Sequence, residues 1–260
     1  MAVNSRREEY VADETPPGLP GSIAAAWGLR DRPGKGPKRG LTLDQIVQAA
    51  ISVAASEGLA AVSMGHVAAV LGVGTMSLYR YVESKRELLE LMMDTALGPP
   101  PAADPDVTWR AGLSHWAWSA LAAYRRQLWV VQIPLAGPPV TPNSLGWLEL
   151  ALQYMRDTAL NEGQKMSVIL LISNYVRNSA TVEAQIDAAV RASGRTNSDL
   201  MAGYNQVLTT VLDSRFPELL KVAASGVMST ADDWDDEFTF GLERILDGVD
   251  VLLRRLGDED

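Results

Sequence analysis

The chain has 260 residues, 47% of them hydrophobic, no cysteine, and a net charge of −9 from 23 basic and 32 acidic side chains. Length and apolar share allow one large or two smaller domains with a sizeable core, while the missing cysteines exclude disulfides, zinc fingers, iron–sulfur clusters and thiol nucleophiles. His66 and His115 are the only histidines, so no metal site is expected, and the acidic balance excludes a protein that coats nucleic acid over its whole surface, leaving any basic footprint local.

The N-terminal "MAVNSRREEYVADETPPGLPG" lacks the apolar segment of a secretory signal. No uncharged stretch approaches the roughly 18 apolar residues that cross a bilayer, so the expected location is the cytoplasm, with no membrane partner. Residues 1–40 end in "LRDRPGKGPKRG", where Arg30, Arg32, Lys35, Lys38 and Arg39 face one acid, Asp31. Prolines and glycines deny this extension a helix, and it has little to bury. It reads as a flexible tail, serving either as a solvated linker or as a basic arm that touches DNA.

Order is expected from Leu41. Thr42 with Gln45 forms a capping-box pattern, and Leu43, Ile46, Val47, Ala50, Ile51 and Ala54 recur at helical spacing until Gly58. A second helix over 63–71 turns Met64, Val67, Ala68 and Leu71 inward, and Gly72 follows as a left-handed cap. A third begins near Gly74 or Thr75 and ends near Val82; a fourth opens at Ser84, whose spacing to Glu87 predicts another capping box. On the third helix, about 100° per residue puts Leu78 and Val82 on one side and fans Thr75, Met76, Ser77, Tyr79 and Arg80 across the other. A short anchored helix after another short helix and a glycine turn is the plan of a helix-turn-helix reader, whose second helix enters the major groove.

"GPPPAADPD" breaks the pattern, and beyond it the chain holds further helices and no convincing strand. The expected fold is all-α: a tail over 1–40, a DNA-binding domain over 41–97 and a larger helical body over 98–260. Helices are expected over 107–128, 145–160 and 162–192, the last so apolar in "MSVILLISNYV" that it needs partners on two sides. The final stripe runs from Phe238 through Leu242, Ile245, Leu246, Val249 and Leu252 to Leu256. Gly241 and Gly248 share a face with Ile245 and Leu252, so another helix comes close there, from a second subunit or from the same chain. With Met166, Ile169 and Ile172 of the long helix, these residues form the candidate dimerisation face.

The stretch "VSMGHVAAVLGVGTMSLYRYVESKRELLELMMD" resembles the DNA-binding domain of the TetR family of transcriptional repressors. A small-apolar helix, a Gly-Val turn, Leu-Tyr with an aromatic two residues on, then Lys and Leu-Leu carry the likeness over 41–97. "FTFGLERILDGVDVLL" is similar to the tetracycline-repressor-like ligand and dimerisation domain, and the basic-tailed extension has counterparts in actinomycete regulators beside antibiotic genes. The resemblance implies a homodimeric repressor on a near-palindromic operator, released by a small molecule, with no cofactor. Thr75, Met76, Ser77 and Arg80 would face base edges, Tyr79 and Tyr81 phosphate or sugar, and Ser63 and Lys85 match phosphate-contacting positions. Arg80 is the candidate for bidentate guanine recognition, with a phosphate contact as its alternative.

Over 41–97 only Arg80, Lys85 and Arg86 oppose Asp44, Glu57, Glu83, Glu87, Glu90 and Asp94, whereas the 30–39 stretch is strongly positive. The arm therefore supplies charge that the domain lacks and could reach a minor groove as homeodomain arms do. Seven tryptophans in the chain and an all-α body suit a pocket for a flat apolar inducer. Trp109, Leu113, Trp116, Tyr154 and Tyr175 are the candidates, though core packing is the plainer role of each aromatic alone. Two rivals remain: a DNA-binding or architectural protein without a ligand, and an enzyme using "DDWDDE" over 232–237, which looks like the aspartate-rich metal motif of terpenoid synthases. An acidic run before a helix is ordinarily a solvated N-terminus favoured by the helix dipole, and with no nucleophile–base set or phosphate loop beside it no enzyme is expected.

Overall fold

The computed structural model describes residues 19–29, 40–135, 137–227 and 233–258. Arg30, Arg32, Lys35, Lys38, Arg39 and Asp232 lie outside the described residues. The α-helices are α1 Gly21–Ala26, α2 Leu43–Glu57, α3 Met64–Val70, α4 Thr75–Leu78, α5 Lys85–Leu97, α6 Trp109–Arg126, α7 Pro142–Tyr154, α8 Glu162–Ser193, α9 Asn197–Val211, α10 Pro217–Ala224 and α11 Trp234–Gly257. Among the described residues there is no strand, and no helix is long and apolar enough to cross a membrane. Two compact units, Met1–Arg156 and Asp157–Asp260, divide the chain.

In the first unit Ile46, Val47, Ala50, Val53 and Ala54 of α2 meet Met64, Val67 and Ala68 of α3, Leu78 and Val82, and Leu88, Leu91 and Met92 of α5 in one core. Thr42 and Gln45 close their capping box as the spacing predicts, at 3.2 and 2.9 Å. α6 and α7, grouped in the sequence reading with the C-terminal body, fold with this unit because α5 holds them. Trp129, Val130 and Ile133 after α6 enter the shared core, Arg126 donates to the Leu97 carbonyl at 3.2 Å, and the Trp147 indole donates to the Gly98 carbonyl at 2.9 Å.

The expectation of a flexible 1–40 tail is corrected over α1. Ile23 and Ala24 are fully buried, and a buried isoleucine contributes about 1.5–3 kcal/mol. The Ser22 hydroxyl donates to Glu87 Oε2 at 2.7 Å, and the Trp27 indole donates to the Val140 carbonyl at 2.7 Å. A six-residue helix does not stand alone in water; tertiary contacts make it.

In the second unit α8 opens on an Asn161–Gln164 capping box, both bonds 2.9 Å, and packs along α11. Of the proposed dimerisation residues, Ile169 and Ile172 are buried within the chain, so they are corrected to core. Gly241 is corrected too: a Cβ there would stand 2.2 Å from the Tyr175 hydroxyl oxygen, so the close helix is α8 of the same chain. That hydroxyl is shared between the carbonyls of Glu237 and Phe238 at 3.0 and 3.1 Å, and its ring stacks on Phe238 with centroids 5.3 Å apart. Gly248 faces open space, Met166 is exposed, and Ile245 and Leu252 are half-buried. The sequence reading assigned no element over 194–232, yet α9 and α10 form there without burying any residue fully. At the start of α11 the Asp233 side chain accepts from Asp235 N at 3.0 Å, so the described part of the acidic run caps a helix.

Gly241→Ala should drive the Tyr175 ring out of its slot and lower unfolding stability by about 1–3 kcal/mol. Urea denaturation of the two proteins reads the difference directly; unchanged stability would mean that the ring moves aside freely.

Candidate nucleic-acid interface

The interface is built from a turn. Gly72, at φ +67°, sits where a left-handed residue is needed, and the Gly72 and Val73 amides donate to the Ala69 and Ala68 carbonyls at 3.1 and 3.0 Å. That bond pair is a Schellman motif closing α3, and glycine adopts the left-handed turn without the Cβ clash other residues meet there. The chain then leaves Gly74 into α4, with Leu78 and Val82 both fully buried. The two anchors read from the helical wheel hold the element down.

α4 is shorter than the spacing predicts. The Tyr81 and Val82 amides converge on the Leu78 carbonyl at 2.9 and 3.0 Å, so the helix tightens after Leu78 and continues to Val82 as a turn. Met76 is 77% exposed, the most open of the large apolar side chains described, and Tyr79 and Arg80 are exposed beside it. Thr75 and Ser77 are half-buried flanks of the same surface. Tyr81 departs from its assignment: its ring packs at the edge of the core, so it buttresses the element as well as bordering the surface.

Ser63 caps α3, its hydroxyl oxygen accepting from His66 N at 3.1 Å, and Lys85 stands exposed on the first turn of α5 with Arg86 beside it. A helix N-terminus and exposed cations are the groups that hold phosphate. The charge deficit is smaller at the surface than in the sequence count. Glu87 and Asp94 are buried and engaged internally, and for Glu90 burial raises the carboxyl above its usual value, with Arg86 opposing and Glu87 and Asp94 reinforcing the shift.

The ligand candidates are not brought together as one set. Leu113 is fully buried on α6, and Trp109 is half-buried at its start. Trp116 is buried, its indole spent on the Trp147 carbonyl at 2.8 Å and its ring edge-on to Trp147 with centroids 6.0 Å apart. Tyr154 lies flat against α6 where Gly112 has no side chain: a Cβ there would meet its ring at 2.3 Å. The Tyr154 hydroxyl is buried and finds no hydrogen-bond partner among the described residues. Tyr175 belongs to the second unit and ties α8 to α11; burial, the largest influence, raises its phenol above the usual value.

Ser22 and Asp94, which sequence reasoning missed, stand behind the interface together with Glu87, which it read only as a capping partner of Ser84. Asp94 caps α7 from α5: Ser144 N donates to Oδ1 at 2.9 Å and Asn143 N to Oδ2 at 3.4 Å. Thr141, at the N-cap itself, makes no capping bond. Glu87 accepts from Ser22, and from Glu83 N at 3.2 Å and Ser84 Oγ at 3.4 Å. Ser22 and Asp94 act across tens of residues, so only the Ser84–Glu87 spacing left any local signal.

Both parts of the chain are similar to known proteins. Residues 46–92 match the family described as "Bacterial regulatory proteins, tetR family", and 99–253 match "Tetracyclin repressor-like, C-terminal domain". The HTH-type transcriptional repressor DrrR1 of Streptomyces coeruleorubidus is 41% identical over 235 residues, covering 89% of this chain and 86% of that protein. An HTH-type transcriptional regulator of Saccharopolyspora erythraea is 27% identical over 177 residues, 65% of this chain and 71% of that one. Among solved structures, apo ActR of Streptomyces coelicolor superposes with a TM-score of 0.67 at 27% identity, covering 84% of this chain and all 100% of that chain. ActR in complex with actinorhodin gives 0.67 at 27% identity, with 81% and 97% covered. A short helix fixed by buried Leu78 and Val82 behind a Schellman turn, on a chain matched over both of its parts, places this protein in the TetR family of DNA-binding transcriptional regulators, which are not enzymes.

Proposed function

We propose that the chain is a cytoplasmic homodimeric repressor that binds a near-palindromic operator and leaves it when a flat, largely apolar small molecule binds. The observation that carries this reading is the presentation of Met76, Tyr79 and Arg80 outward from the element that Leu78 and Val82 pin to the core. Arg80 takes the bidentate guanine contact, Met76 suits a thymine methyl, and Thr75 and Ser77 reach base edges or their bridging waters. Ser63, Lys85, Tyr79 and the Tyr81 hydroxyl meet phosphate or sugar. The working division is a reading head over 41–97 and a ligand and dimerisation body over 98–260.

The dimer reading rests on an uncovered apolar stripe: Met166, Leu170 and Leu171 of α8 and Val251 of α11 are 42–62% exposed, beside open Gly248 and half-buried Ile245 and Leu252. Two reading heads would then fall about one duplex turn apart, roughly 34 Å. For the inducer, a buried hydroxyl without a partner costs about 1–3 kcal/mol, which a ligand oxygen or N–H at Tyr154 would recover. A structure of ActR carries actinorhodin, and another carries (S)-DNPA; DrrR1 is named a repressor. A ligand moves the equilibrium only by binding the released state better than the DNA-bound one.

Arg80→Ala should weaken binding to an operator duplex by about 1–3 kcal/mol, roughly 5- to 150-fold, with fold and dimer intact; equal affinity in fluorescence anisotropy would mean that the outward face is misassigned. Because α1 belongs to the core, the basic arm is best tested by neutralising Arg30, Arg32, Lys35, Lys38 and Arg39 to Gln rather than by truncation. Operator affinity should fall, and the slope of log affinity against log salt should flatten by up to about 4.5, from about 0.9 per lost phosphate contact; an unchanged slope would retire the arm. A panel of planar aromatic dyes titrated against tryptophan fluorescence should include a binder that displaces operator DNA, and Tyr154→Phe should weaken that binder. Dyes that bind without touching DNA affinity would favour a regulator with no inducer at this site.

A further inference from the structure

α1 lies outside both family-matched stretches, 46–92 and 99–253, yet it reaches into the reading head. Its first turn holds Glu87, the residue that closes the corner between the turn after α4 and the first turn of α5. The Glu87 amide donates to Ser84 Oγ at 3.2 Å, while its carboxylate collects Glu83 N, Ser84 Oγ and Ser22 Oγ. Glu87 is 6% exposed and Ser22 1%. A carboxylate so buried depends on its donors, and the Ser22 bond at 2.7 Å is the shortest of the three. The other end of α1 is pinned by the Trp27 indole on the Val140 carbonyl, one residue ahead of Thr141, the N-cap of α7. Between these pins Ile23 and Ala24 are fully buried, and Ile23 joins the core that anchors Leu78 and Val82.

We infer that α1 is a strap that sets the reading head: Ser22 holds the Glu87 carboxylate at the corner between α4 and α5, Trp27 holds the chain ahead of α7, and together they fix how α4 is presented to DNA. Ser22 and Trp27 are thus positioning residues that touch no DNA. Their contribution is pre-organisation, since a corner already ordered loses less freedom when it docks. The inference rests on the reading of α4 as the element that meets DNA.

The test uses the full-length protein and a fluorescent duplex enriched from a random library by the wild type. Ser22→Ala, Trp27→Phe, Glu87→Ala and Glu87→Gln are compared for operator affinity, active fraction by stoichiometric titration, and melting temperature, with binding read well below melting. Ser22→Ala and Glu87→Ala should weaken binding about five- to tenfold per active molecule, the factor expected from losing a hydrogen bond to a charged group in part. Trp27→Phe should weaken it by a smaller factor. Glu87→Gln should restore binding to within about twofold, because the amide oxygen can accept from Ser22 and Glu83 while the amide nitrogen donates to Ser84. A strap that serves stability alone would lower melting temperature in Ser22→Ala and Trp27→Phe while leaving the affinity of the active fraction unchanged, and that result overturns the inference. If the wild type enriches no duplex at all, it is the DNA reading of α4 that fails.

Discussion

Two buried carboxylates on one face of α5 constrain everything around them. Glu87 and Asp94 lie seven residues apart, two helical turns, and each is 6% exposed. A buried ionised carboxylate without donors is far too costly to keep, so each end of α5 must be met by groups from elsewhere. At Glu87 they come from α1 and from the corner that follows the reading helix. At Asp94 they come from the first turn of α7, through Asn143 N, Ser144 N and Ser144 Oγ. That arrangement also suits the α7 dipole, whose N-terminus favours negative charge. α5 is therefore the common support of the corner that follows α4 and of α7, the helix that carries Trp147 and Tyr154.

The parts of this design legible in the sequence are those whose cause is local. Thr42–Gln45 closes bonds three residues long, Ser84 accepts from Glu87 N although the Glu87 carboxylate turns to Glu83 N instead of closing the box, Gly72 ends α3, and Leu78 with Val82 follows from helical spacing alone. What escaped is held by distance. Ser22 finds Glu87 65 residues away, and Trp27 finds Val140 113 residues away; neither leaves a pattern in its own neighbourhood. Gly241 was legible as a close approach, but spacing within one helix does not say who approaches, and the neighbour is Tyr175 of the same chain. The aromatic residues are legible as a group and not by role: Trp116 serves Trp147, whereas the buried Tyr154 hydroxyl finds no partner among the described residues.

An acidic chain that recognises a polyanion must keep its charges apart. Folding does part of this by burying Glu87 and Asp94, which spends two of the six acids of the 41–97 stretch on internal donors and leaves Arg80, Lys85 and Arg86 exposed at the corner with Glu83 as the one exposed acid among them. The remaining repulsion favours specificity: weak nonspecific attraction leaves base-edge contacts a larger share of total affinity. A strongly basic reading head would hold any duplex. On the proposed reading this one depends more on the fit of α4, and hence on the rigidity of its corner.

That dependence bears on how release could work. If affinity comes mainly from fit, a ligand need not remove any DNA-contacting residue; it has only to favour an arrangement in which α5 presents the corner at another angle. The bonds that resist such a change are few and identifiable: Asp94 to the first turn of α7, Trp147 to the Gly98 carbonyl, Arg126 to the Leu97 carbonyl, and α1 across the other side. Each links α5 or its ends to an element carrying aromatic residues of the body or to the segment that leads into one. Packed interfaces shift between discrete arrangements rather than bending continuously. On the proposed reading, the contacts that hold the corner of α4 in place are the ones a release would have to rearrange.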